Sequence, residues 1–169
     1  MRTDHKTFMA LAIEEALTGV QAGEQPFGAV VVRDGEIVCR THSTVNSTAD
    51  PTAHAEMTAV RKAAGNLETP RLKGCTLYAS CEPCAMCVAT MYQVGIERLF
   101  YAGAASDSAD FFQRLAEHDP KWARRMSSAE LRREVGLPIE QRQMPASQLL
   151  VEDTRRCFED FIARHGQGS

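Results

Sequence analysis

The chain has 169 residues, 44% of them hydrophobic and 24% charged, which suits one well-buried domain and excludes a multidomain enzyme, a disordered chain or a fibrous repeat. A formal charge of −3 and a pI near 6.0 give no long-range attraction for polyanions, so nucleic acid is not favoured as a partner. The longest apolar runs, such as Ala29-Val30-Val31-Val32, fall far below the roughly 20 residues that span a bilayer, so no membrane segment is expected.

Met1 to Lys6 lead into an acid-containing amphipathic segment rather than an apolar signal core, which predicts a cytoplasmic protein. In a reducing compartment the six cysteines (Cys39, Cys75, Cys81, Cys84, Cys87, Cys157) are expected as buried small residues or metal ligands, not as a disulfide framework. Apolar residues recur at helical spacing from Phe8 to Val20, after the cap-competent Asp4 and before Gly23, and predict a first helix. Gly28 to Arg33 and Glu36 to Arg40 are β-rich runs joined by Asp34-Gly35, a type I′ hairpin signal. Asp50-Pro51 reads as a cap followed by proline at the first helical position, opening a helix that carries Met57, Val60, Ala63 and Ala64 to Gly65.

Beyond it, Cys75 to Ser80 reads as a strand, Pro83 to Gln93 as a helix stopped by Gly95, and Ile96 to Ala102 as another strand. The pattern weakens after Gly103. Asp107 to His118 and a stretch from Ser127 or Ser128 to Val135 predict helices, Gln141 to Met144 a short strand, and Gln148 to Arg164 a last helix. No repeat or linker interrupts the sequence, so residues 1–169 are expected to form a single α/β domain of three layers, with a core over about 7–102 and a variable segment over 103–169.

The chemistry concentrates in two short motifs, His54-Ala55-Glu56 and Pro83-Cys84-Ala85-Met86-Cys87, each at a predicted helix start. Cys84 and Cys87 stand three apart on one helical face, so their sulfurs can converge on one ion, and His54 can supply a third ligand from a facing helix. Helix dipoles and Zn²⁺ both favour thiolates there. Three protein ligands leave a tetrahedral position for water, as catalytic rather than structural zinc sites do. Glu56, two residues from His54, sits beside the ion without ligating it and is placed to take a proton from water and pass it to a departing amine. His-x-Glu followed by Pro-Cys-x-x-Cys is the pattern of the zinc nucleobase deaminases.

On these motifs the chain resembles the cytidine/deoxycytidylate deaminase superfamily. Pro26-Phe27-Gly28-Ala29-Val30, Asn46, Asp50 to Glu56 and Cys81 to Cys87 are similar to bacterial guanine deaminases and their plant guanosine-deaminase relatives, and much of the pattern is shared with bacterial tRNA adenosine deaminases. The resemblance runs from about Thr7 to Ala102. It implies a five-stranded mixed sheet between helical layers, a homodimer, and hydrolysis of a free nucleobase or related amino-heterocycle with release of ammonia. Guanine is the first candidate, then cytosine, isoguanine or s-triazines, and adenosine-to-inosine editing of tRNA is the alternative. It implies His54, Cys84 and Cys87 as ligands, Glu56 as proton shuttle, the Ala55 and Cys84 amides near the reacting water, Asn46 as a hydrogen-bond partner of the base and Phe27 as an aromatic wall. The resemblance departs after Tyr101, where Ser106 to Phe112 do not match the acidic, aromatic segment of the guanine deaminases.

Blander readings accompany each assignment. Cys81 as a fourth ligand would make a closed structural zinc module and leave Glu56 without a role. An iron–sulfur reading fails because Met91 stands where a fourth cysteine is expected. Asn46 fits a turn or cap, and Phe27 fits simple core. Arg124-Arg125, Arg132-Arg133 and Arg155-Arg156 are interleaved with acids and read as solvated helix faces rather than a tRNA-binding strip. Gly103 to His118 either closes the pocket, with Asp107 and Asp110 accepting N–H groups of the base, or forms an ordinary amphipathic helix that buries Phe111, Phe112 and Leu115.

Overall fold

In a computed structural model the chain is described over residues 4–166 and divides into two compact units, Met1–Arg132 and Arg133–Ser169. The first unit opens with α1 (His5–Gln21), capped as expected by Asp4, whose Oδ1 accepts the backbone N–H groups of Lys6 and Thr7. Strands β1 (Gly28–Arg33) and β2 (Glu36–His42) follow, and both turn residues between them take positive φ, 53° at Asp34 and 84° at Gly35, as a type I′ turn requires. Next come a short helix α2 (Val45–Thr48), α3 (Ala55–Asn66), β3 (Cys75–Cys81), α4 (Ala85–Val94), β4 (Arg98–Gly103) and α5 (Ala105–His118).

The sheet has the order β2-β1-β3-β4, antiparallel except for the β3/β4 pair, and is therefore mixed. Its two faces explain the unbroken apolar run of β1. Ala29 and Val31, with Leu77 and Ala79 of β3, pack against Ala55, Ala59, Val60 and Ala63 of α3 and Cys87 and Met91 of α4. Val30, Val32 and Tyr78 point the other way, onto Ala12 and its neighbours in α1. Strands covered on both faces need no polar side, which is why they read as continuous hydrophobic sequence. Gly28 brings α1 close to the sheet, because a Cβ there would fall within 3.0 Å of Ala12, Ala16 and Glu15 atoms.

Three expectations need correction. The described residues contain four strands rather than five. The segment expected as a strand, Gln141 to Met144, instead begins on the last residue of a 3₁₀ turn at Ile139–Gln141 and joins no strand ladder among the described residues. It is almost wholly polar, with no apolar face to bury, and the following Pro145 has no N–H for a ladder. Asp50-Pro51, in turn, does not begin a helix. Asp50 Oδ1 accepts the Thr52 N–H at 2.8 Å and the Thr52 hydroxyl at 2.7 Å, closing a local turn, and α3 starts four residues after the proline.

After α5, Asp119 caps a 3₁₀ turn at Pro120–Trp122, and α6 (Ser128–Gly136) begins at Ser127, whose hydroxyl accepts the Glu130 N–H. In the second unit, Arg142 Nε donates to the Leu137 carbonyl at 2.9 Å, and α7 (Val151–His165) carries exposed Phe158, Phe161 and Ile162. No described helix is long and apolar enough to cross a membrane.

Candidate active site

The first unit gathers its chemistry at the carboxyl ends of β3 and β4, the usual place for ligands in open α/β sheets. His54 and Cys84 occupy equivalent positions. Each is the last extended residue before a helix, with ψ of 154° at His54 ahead of α3 and 171° at Cys84 ahead of α4, and neither spends its side chain on capping. Cys87 follows in the first turn of α4 and is 1% exposed. The Cys84 sulfur, the Cys87 sulfur and His54 Nδ1 lie 3.6 Å from one another in all three pairs. A tetrahedral zinc with sulfur at about 2.3 Å and nitrogen at about 2.0–2.1 Å separates its ligands by about 3.5–3.8 Å. The donor set therefore fits that ion in chemistry and in spacing, and it is the metal-competent group among the described residues.

Cys81 stays outside the group, its thiol donating to the Ala104 carbonyl at 3.5 Å, so nothing supports a closed four-ligand site. Glu56, 7% exposed, has Oε2 at 3.6 Å from the Cys87 sulfur. Burial pushes its carboxyl above the ordinary value, which makes the carboxylate a stronger base toward a neighbouring proton. The Cys87 thiol hydrogen-bonds Cys84 and, against the effect of burial and with help from His54, brings Cys84 down to about 3, while Cys87 itself is pushed up. His54 is raised, chiefly by its hydrogen bond with Cys84.

A cleft opens beside this group, lined by His54, Glu56, Cys84 and Phe27, and also by Glu82, Ser108, Arg124 and Ser128, which sequence reasoning did not place there. Phe27 stacks on Phe112 with ring centroids 6.1 Å apart and planes at 16°, and meets Phe111 edge-on. It is thus both a wall and a packing residue. Glu82 accepts the Ala105 N–H at 3.1 Å and pairs with Arg132 at 2.6 Å, while Arg132 also donates to the Pro83 carbonyl at 2.8 Å. Those bonds, the Ala105 amide first, hold the Glu82 carboxyl below its ordinary range and tie α5 and α6 to the cysteine motif.

Asn46 and Ala55 are not among the cleft-lining residues. The Asn46 amide donates to the Gly23 carbonyl at 2.8 Å, and Ala55 is fully buried as the first residue of α3. Asp107 and Asp110 do not line the cleft either. Asp107 accepts the Ala104 N–H at the start of α5, and Asp110 pairs with Arg114 one turn on. The segment does both things, with Phe112 buried at 7% exposure and stacked on Phe27 while Ala105 and Ser108 line the cleft.

A family model described as the cytidine and deoxycytidylate deaminase zinc-binding region matches residues 2–103. Guanine deaminase from Bacillus subtilis is 38% identical over 157 residues, 92% of each chain, and its crystal structure superposes with a TM-score of 0.83 over 98% of each chain at 34% identity. The likeness therefore continues well past the motif region, beyond the limit expected near Ala102. A tRNA-specific adenosine deaminase from Aquifex aeolicus is 41% identical over 95 residues, 56% of this chain and 63% of that protein. A solved structure in complex with 2,6-diaminopurine matches with a TM-score of 0.62 at 26% identity over 64% of this chain and 61% of the other. With the family model spanning more than half of the sequence and a full-length relative at 38% identity, the chain belongs to the cytidine and deoxycytidylate deaminase family and is a hydrolytic deaminase.

Proposed function

We propose that the protein deaminates guanine hydrolytically, converting guanine and water to xanthine and ammonia, with zinc held by His54, Cys84 and Cys87. The observation that carries this reading is the extent of the likeness. The match to the Bacillus guanine deaminase takes in the segment after residue 103, whereas the match to the Aquifex tRNA enzyme covers 56% of the chain. A bound zinc ion would supply Lewis acidity that brings the ionisation of water near neutral pH.

The chain's own residues do the rest. Glu56, buried and raised in pKa, takes the proton of the attacking water and delivers it to the departing amine at C2. Phe27, braced by Phe112, gives the base a flat wall to stack on. Asn46 and the Ala55 amide are assigned to hydrogen bonds with the base and the reacting water, and Asn46 must then exchange or supplement its bond to Gly23. Free rather than disulfide-bonded cysteines support a reducing, cytoplasmic setting. A homodimer is part of the proposal, supported by apolar side chains left open at Tyr92, 82% exposed, and Tyr101.

The test is ammonia release from guanine, cytosine, isoguanine, s-triazines and adenosine-containing tRNA, run on zinc-loaded protein. Turnover of guanine above the other bases is the expected result. Inosine in tRNA with no free base turned over would replace this reading with RNA editing.

A further inference from the structure

One charged group in the cleft has no task in the chemistry above. Arg124 lies in the short connection between the 3₁₀ turn and α6, and its guanidinium carbon sits 3.5 Å from the centroid of the Phe112 ring. Phe112 in turn stacks on Phe27, and Phe27 and Arg124 both line the cleft with His54, Glu56 and Cys84. Arg40, Arg114, Arg132, Arg155 and Arg156 each pair with a carboxylate. Arg124 has no carboxylate or hydrogen-bond acceptor among the described residues. Glu82, the acid that shares the cleft, is already held by Arg132 and the Ala105 amide. Burial lowers the Arg124 pKa against the pull of Cys84 and Cys81, but an arginine stays protonated. Together with Ser128, Arg124 lines both this cleft and a second cavity bounded by Phe112 and Ala109.

A guanidinium held flat by an aromatic ring keeps its N–H fork free and oriented. That fork matches two neighbouring acceptors, a carbonyl oxygen and a ring nitrogen. Guanine placed with C2 at the reacting end turns O6 and N7 away from it, and this is the edge that arginine reads through two hydrogen bonds in nucleic acids. We propose that Arg124 is the specificity residue of this site, reading the oxo and ring-nitrogen acceptor edge of an amino-oxo heterocycle and rejecting analogues that present an amine there. The inference rests on the base-deaminase reading and adds to it a residue and a rule of selection.

The test uses two substrate pairs that share the ring-nitrogen edge and differ by one carbonyl-to-amine exchange, guanine with 2,6-diaminopurine and 8-azaguanine with 8-aza-2,6-diaminopurine, each followed by the product of losing the C2 amine. Zinc-loaded wild type should favour the oxo member in kcat/KM. Arg124→Ala should lower kcat/KM for the oxo member about 5–150-fold, the discrimination of one good bidentate pair, and leave the amino member nearly unchanged. Arg124→Lys keeps the charge without the fork and should lose most of the preference too, with zinc content and circular dichroism as in wild type. An oxo-to-amino ratio unchanged in Arg124→Ala, a parallel fall for both members, or a full preference retained by Arg124→Lys each overturns the assignment while leaving the deaminase reading intact. If wild type turns over none of the four bases, the base-deaminase reading falls and the role of Arg124 falls with it.

Discussion

Glu24 offers a test of how the fold holds the residue assigned to the base. Among the described residues it is one of two buried carboxylates, the other being Glu56. Its oxygens accept the backbone N–H groups of Asn46 and Ser47, each at 2.9 Å. Helix α2 has only four residues, and its N-cap Thr44 makes no side-chain cap, so these donors would otherwise lack an intrahelical partner. Glu24→Gln keeps one acceptor and turns an NH₂ group toward the other N–H. Hydrogen bonds to charged groups contribute about 1.5–3 kcal/mol, so losing one and weakening the other costs about 2–3 kcal/mol. For a chain of this size that lowers Tm by about 4–12 °C. Asn46 is anchored through the same helix and through Gly23, so the KM for guanine should rise while zinc content stays constant.

The pH dependence has a definite sign. Burial alone would push the Glu24 carboxyl up, but the donors from Ser47 and Asn46 outweigh it and hold it below its ordinary value of 4.5. A carboxyl depressed by folding stabilises the protein above its unfolded pKa and ceases to do so as pH falls through the lower folded value. The stability gap between wild type and Glu24→Gln, measured by denaturant melts, should be full above about pH 5.5 and shrink steadily below about pH 4.5. A gap that is absent at pH 7, or equal at pH 7 and pH 3, would refute this account of α2.

Chelation of a zinc-loaded preparation should destabilise the fold, since a ligand at about 1,000 times its Kd contributes about 4 kcal/mol, equivalent to about 8–16 °C in Tm; a melt indifferent to chelator argues against metal at His54, Cys84 and Cys87. Glu56→Gln should retain zinc by elemental analysis and lose about 10²–10⁴-fold in kcat, and loss of the metal instead would make the carboxylate a ligand. Gly28→Ala drives a methyl group into the α1 backbone at Ala12 and Ala16, which cannot yield as a side-chain tip can, so a loss of at least about 3 kcal/mol in thermal or denaturant melts is expected. A near-neutral Gly28→Ala would mean that α1 rides freely on the sheet.

What could be read from the sequence is what short-range physics controls. Asp34-Gly35 requires two positive φ values, and few residue pairs other than this supply them. The run Ala29 to Val32 declares a strand covered on both faces, and the three-residue spacing of Cys84 and Cys87 declares two sulfurs that converge. Asp50-Pro51 misled because the same two residues serve equally well in a helix start and in a turn, and only the hydrogen bond to Thr52 separates the cases. Arg124 was illegible for a different reason. A basic residue in a polar connection looks like solvated surface until α5 buries Phe112 and leaves its ring face for the guanidinium. Asp107 and Asp110 show a third case, because acids in a segment near a site invite a substrate role, and here one accepts the N–H that caps α5 and the other pairs along it.

The misplaced helix start has a functional consequence. Had α3 begun at Asp50, His54 would sit a full turn inside the helix, with its side chain swept back toward the amino end as helical side chains are. At the N-cap its backbone is extended, and the imidazole is free to reach the first turn of α4. Cys84 repeats the arrangement, so two helices approach the site by their amino ends, where partial positive charge favours the thiolate. The N-cap is also where serine, threonine, aspartate or asparagine would add about 0.5–2 kcal/mol by satisfying a first-turn N–H, and neither His54 nor Cys84 does so. The fold thus forgoes a local stabilisation at both helix starts, and in each case the residue that breaks the capping rule is one of the three that converge at 3.6 Å.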